Sequence, residues 1–147
     1  MLVASRAEVE TAAGVRIVRL RLPARPEYVG LARLALTGLA ETRTLDPDVL
    51  ADLKLALTEA VSNSVRHAYG SGGGNVDVRY ELRPDRIAIE IVDDGDGFDP
   101  DETPSPDGDE LSEGGLGIAI IRTIADELEI ESRPGVRGSR LRFAKSL

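Results

Sequence analysis

Two short runs, VDVRYEL at residues 76–82 and RIAIEIV at 86–92, alternate apolar with other residues at a period of two, and only Arg83, Pro84 and Asp85 separate them. That period belongs to an extended chain with one side in a core, and so short a connection lets the second run return only beside the first. An antiparallel hairpin is therefore expected, and the rest of the chain must be built around a sheet. VRIVRLRL at 15–22 repeats the alternation and is closed by Pro23 and Pro26. Between these strands the period becomes helical. Val29, Leu31, Leu34, Ala35, Leu36 and Leu39 recur at helical spacing from 27 to about 41. Asp46 and Pro47 then supply a cap and first turn for a second helix, whose stripe is Leu50, Leu53, Leu57, Ala60, Val61, Ser64 and Ala68. It stops at Gly70, before the turn SGGG at 71–74.

Beyond the hairpin, residues 98–113 hold three prolines, seven acids and no Lys or Arg, the composition of a mobile loop. Residues 114–128 (GGLGIAIIRTIADEL) read as a helix opening on glycines, and LEIESR (128–133) and SRLRFAKS (139–146) as two closing strands. The order is βααββ, loop, αββ, with no internal repeat. It predicts an α+β fold, a two-layer sandwich with helices on one face of a mostly antiparallel mixed sheet. One domain over 1–147 is expected, with its core at about 15–145.

Charge and composition exclude several kinds of partner. A net charge of −8 repels phosphate backbones, so no direct contact with nucleic acid is expected. No apolar run approaches the ~20 residues of a membrane span, and MLVASRAEVE has no basic segment leading into an apolar one. With no cysteine in the chain, a cytoplasmic protein is the expectation. A polyphosphate ligand of so acidic a chain must be held by local features: backbone N–H groups, a cation, or one or two arginines.

Three stretches offer such features. On the second helix Glu59, Asn63 and Arg66 are spaced by four and three and fall together, nearly opposite the apolar stripe. They form either a solvated face or a row turned toward a ligand. SEGGLGIAI (112–120) places Gly114, Gly115 and Gly117 at a helix start. Each glycine inside a helix costs ~1 kcal/mol against Ala, so the cluster is either a tight turn against the sheet or an array of bare N–H groups able to hold phosphate. IVDDGDGF (91–98) ends a strand on Asp93, with Gly95 and Gly97 removing side chains beside it. A carboxylate without a partner at the mouth of a core is costly, so Asp93 either accepts a hydrogen bond from a ligand or water, or belongs to a glycine-rich turn with exposed aspartates.

In this order, E-x-x-x-N, D-x-G-x-G and G-G-L-G, the stretches resemble the GHKL ATP-binding superfamily that includes the histidine kinases. TEAVSNSVRHAY (58–69) and EGGLGIAII followed by ADELEI resemble its anti-sigma-factor serine kinases, over about residues 15–145. The resemblance implies ATP and Mg2+ as ligands, with Asn63 on the metal and Glu59 as the general base toward a serine hydroxyl. It implies that Asp93 accepts the adenine amino group, that Gly95 and Gly97 let the ring lie close, and that Gly114, Gly115, Leu116 and Gly117 form the phosphate-binding helix start. Residues 98–113 would be the lid. Ser139 stands where the superfamily often has Thr near adenine, Arg66 stands where histidine kinases have Lys, and His67 completes the His-Ala-Tyr ending. The implied partners are a sigma factor, which is sequestered, and a STAS-domain antagonist phosphorylated on serine, with the kinase acting as a homodimer. Glu113 departs from the pattern, since some of these kinases carry a basic residue there. Two other readings stay open: a non-catalytic ATP-binding sequestration module, and a histidine-kinase-type catalytic domain, the latter disfavoured because the chain's one histidine lies inside the motif.

Overall fold

A computed structural model describes residues 6–70, 74–95, 115–133 and 135–147. The elements are strands β1 (Arg6–Ala12) and β2 (Val15–Pro23), a single 3-10 turn (Pro26–Tyr28), helices α1 (Val29–Ala40) and α2 (Pro47–Gly70), strands β3 (Asn75–Leu82) and β4 (Arg86–Asp93), helix α3 (Gly115–Ile124), and strands β5 (Glu127–Glu131) and β6 (Ser139–Ser146). The strands form one six-stranded sheet in the order β1-β2-β3-β4-β6-β5. Every pairing among them is antiparallel, so the sheet is not mixed. The expected two-layer α+β architecture is present.

Alternation sets which face is buried. The register aligns three rows across the sheet: Val18, Tyr80, Ile89, Phe143; Leu20, Val78, Ile91, Leu141; and Leu22, Val76, Asp93, Ser139. All but Val18 are buried, and Val18 packs at the margin of the same core. Leu36, Leu53, Leu57 and Val61 cover these rows from the helices, and the Tyr80 hydroxyl donates to the Ala32 carbonyl at 2.7 Å, tying the sheet to α1. Fully burying side chains of this size is worth about 1.5–3 kcal/mol each. α2 is capped as its sequence suggests, with the Asp48 N–H donating to Asp46 Oδ1 at 2.8 Å. On the far face of the sheet the buried Glu81 carboxylate accepts from Arg83 Nε at 2.9 Å and Arg79 Nη1 at 3.3 Å. Among the described residues no helix is long and apolar enough to cross a membrane.

Two elements differ from expectation. β1 is an additional strand: RAEVETA is poor in β-formers, and Val9 on it is 70% exposed. It pairs because Ala13 (φ 52°) and Gly14 (φ 79°) make a left-handed two-residue turn that folds it back on β2, with Ala12 opposite Val15. The last helix is shorter than 114–128. It ends at Ile124, after which the Asp126 N–H donates to the Ala144 carbonyl at 2.9 Å and the Asp126 carboxylate accepts from the Ser146 N–H at 2.6 Å. Long-range pairing with β6 captures Glu127 and Leu128, which local helical spacing would place in the helix.

Candidate functional site

α2 carries one wall of the site. Its stripe packs on the sheet while α1 and α3 lie against its flanks, so the row Glu59, Asn63, Arg66 is not a solvated face. Asn63 is only 2% exposed and its side-chain Oδ1 has no hydrogen-bond partner among the described residues; the same holds for Arg66 Nη2. A buried unpartnered amide oxygen costs about 1–3 kcal/mol. Two buried polar atoms without a partner among the described residues, an amide oxygen and a guanidinium nitrogen, thus lie on adjacent turns of α2. Glu59, one turn before Asn63, is half-buried and lies against the start of α3: a Cβ placed on Gly117 would fall 2.9 Å from Glu59 Oε2.

The second wall is the end of β4. The register puts Asp93 opposite Ser139 on the inner face, in the last row of the sheet. Both are buried. Asp93 Oδ1 accepts the Gly95 N–H at 2.8 Å and Oδ2 accepts the Ser139 hydroxyl at 2.5 Å. Each oxygen keeps a second lone pair, so the carboxylate is oriented without being used up. Gly95 meets α2 directly, because a Cβ there would fall 2.7 Å from the His67 carbonyl carbon and 2.8 Å from the Ala68 nitrogen. The space freed by this glycine is thus filled by the last turns of α2. The Gly95 carbonyl accepts from the Gly138 N–H at 2.6 Å, which holds the β4 end against the approach to β6.

His67 connects the walls. Its Nδ1 lies 2.6 Å from the Asn63 carbonyl oxygen, and since a carbonyl only accepts, Nδ1 carries the proton. The contacts run without a break from Gly117 through Glu59, along α2 to Asn63 and His67, and on through Gly95 to Asp93 and Ser139. Gly115, Leu116 and Gly117 form the first turn of α3, where N–H groups lack helical partners; Leu116 is 43% exposed. Gly97, Gly114 and residues 98–113 lie outside the described residues. Sequence reasoning missed two contacts, Gly95 on the α2 backbone and Gly117 on Glu59. No local pattern encodes either, since each joins segments more than 25 residues apart.

The family of the histidine kinase-like ATPase domain matches residues 22–145. The chain belongs to this ATPase family. Among its relatives are proteins named serine-protein kinase RsbW: that of Bacillus velezensis is 41% identical over 83% of this chain and 82% of its own length. That of Bacillus subtilis is 40% identical over 81% and 80%, and that of Staphylococcus aureus 38% over 87% of each. The fold resembles the histidine kinase domain of the Erythrobacter litoralis EL346 blue-light-activated histidine kinase, with a TM-score of 0.56 at 20% identity over 86% of this chain and 62% of that one. The chain is accordingly an ATP-using serine-protein kinase.

For this kinase the residues present fit a hard divalent cation in a limited way. The unpartnered Asn63 Oδ1 is the kind of neutral oxygen that Mg2+ accepts. Among the described residues no group of three or more His, Cys, Asp or Glu is gathered for a metal, so these residues offer few ligands and phosphate oxygens with water would supply others.

Proposed function

We propose that this kinase phosphorylates a serine of a small STAS-domain antagonist, that it also binds a sigma factor and holds it inactive, and that it works as a homodimer. The observation that carries the reading is the buried, unpartnered Asn63 oxygen one helical turn from Glu59. Such a pair suits a triphosphate held through Mg2+ beside a base. Asn63 would hold the cation, whose chemistry when bound is to neutralise triphosphate charge in a chain of net charge −8. Asp93, oriented by Gly95 and Ser139, would accept the adenine amino group. The N–H groups opening α3 would contact the phosphates, and Arg66, with Nη2 unpartnered, would add positive charge in place of the basic residue that Glu113 replaces.

In the transfer, Glu59 takes the proton of the acceptor serine hydroxyl as its Oγ bonds to the γ-phosphorus. The bond from that phosphorus to the bridging oxygen breaks, leaving ADP and phosphoserine, and the proton passes from Glu59 to solvent. Positioning and charge neutralisation supply most of such a rate enhancement. The test is to mix the kinase and γ-labelled ATP with purified STAS-domain proteins from its own genome and to locate label on serine by mass spectrometry. Glu59→Gln should lower transfer 10²- to 10⁴-fold with little change in ATP affinity, whereas Asn63→Ala should reduce both. ATP binding with no labelled serine on any such protein would overturn the assignment of the acceptor.

A further inference from the structure

Gly117 stands in the third position of α3, where glycine costs about 1 kcal/mol relative to Ala. Its backbone gives no reason for that cost, because among the described residues the glycines with left-handed φ are Gly14, Gly74, Gly135 and Gly138. The reason lies across the helix interface. A Cβ on Gly117 would fall 2.9 Å from Glu59 Oε2, 3.6 Å from Glu59 Cβ and 3.8 Å from Glu59 Cδ. The first turn of α3 is thus the surface along which the Glu59 side chain lies, and the missing methyl is the space its carboxylate occupies.

We infer that Gly117 is a positioning residue for Glu59: it is glycine so that the carboxylate can rest against α3 where the acceptor hydroxyl must be deprotonated. This inference rests on the reading of Glu59 as general base. The contrast with Gly95 sharpens it. At Gly95 an added methyl meets the α2 backbone, which cannot move without unpacking a helix. At Gly117 it meets the free end of a flexible side chain, so the fold accommodates the methyl and the carboxylate is displaced. The N–H that α3 offers to a phosphate is the same in Ala as in Gly. Restoring an ordinary contact of 3.4 Å from 2.9 Å moves the oxygen by at least about 0.5 Å. Misplacement of a catalytic group by about 1 Å can cost 10²-fold.

The experiment compares Gly117→Ala, Glu59→Gln and the double variant with the wild type. It uses labelled ATP and a STAS-domain protein phosphorylated by the wild type, with ATP affinity by calorimetry and thermal unfolding measured on each. Gly117→Ala should unfold at the wild-type temperature or above, keep its ATP affinity within about threefold, and lose roughly 10- to 100-fold in kcat at unchanged KM for ATP. In the Glu59→Gln background the same substitution should remove nothing further, because the residual rate no longer uses a base. A parallel fall in ATP affinity, or losses that add in the double variant, would show that Gly117 acts through the phosphates and would overturn the inference. Wild-type kcat in Gly117→Ala beside a damaged Glu59→Gln would overturn it while leaving the base assignment standing. Wild-type kcat in Glu59→Gln would remove the base assignment and the inference together.

Discussion

Replacing Ser139 by Ala tests whether the Asp93 carboxylate is held by a hydrogen bond that matters. Ser139 and Asp93 are 7% and 4% exposed, and the hydroxyl donates to Oδ2 at 2.5 Å. Ser→Ala removes one oxygen and leaves little cavity, so the cost is that of an unmade bond to a buried charge. Hydrogen bonds to charged groups contribute about 1.5–3 kcal/mol, and the Gly95 N–H on Oδ1 is unaffected. A loss of about 2 kcal/mol in urea-unfolding free energy is expected. In a chain of this size that lowers the Tm by roughly 4–8 °C. Ser139→Thr keeps the hydroxyl and should cost much less. In an Asp93→Asn background, where the bond is between neutral groups, Ser139→Ala should cost only about 0.5–1.5 kcal/mol. A loss below about 0.5 kcal/mol in the wild-type background, or equal losses in both backgrounds, would refute the reasoning and make Ser139 a bystander to Asp93.

Three further outcomes are expected. Gly95→Ala should destabilise the fold by about 1–3 kcal/mol or more in denaturant titrations, because its methyl meets the α2 backbone at 2.7–2.8 Å. Asp93→Asn should weaken ATP roughly 10- to 150-fold by calorimetry, and the wild type should bind GTP poorly; equal affinity for the two nucleotides would remove Asp93 from base recognition. Burial alone would raise the pKa of Glu81, but hydrogen bonds and charge from Arg83, with Arg79, outweigh it and hold the carboxylate below the usual range. The unfolded chain then takes up the proton first as pH falls. This contribution is therefore complete above the ordinary glutamate pKa of about 4.3 and is lost as pH drops below it toward the lowered folded value. Glu81→Gln should flatten the acid limb of the stability curve measured by urea unfolding between about pH 5 and pH 2.

Alternation of apolar residues, a helix cap and a stop glycine are written in neighbouring residues, and the elements that depend on them are legible in the sequence alone. SRLRFAKS is the whole of β6, and Asp46 and Gly70 mark the start and end of α2. The order of three short motifs is legible for the same reason, and with it the ATPase family. Tertiary structure decided what depends on residues far apart. It made a strand of RAEVETA, which only the turn at Ala13 and Gly14 delivers to β2, and it ended α3 at Ile124, where β6 offered the backbone a ladder in place of further helix. It buried Asn63 with its Oδ1 unpartnered, on a row that helical spacing alone left open to solvent. It also separated two glycines that look alike in the sequence: Gly95 leaves room for a helix backbone and Gly117 for a carboxylate. A glycine records only that a side chain would be in the way, and what it would obstruct is known once the distant segment has packed beside it.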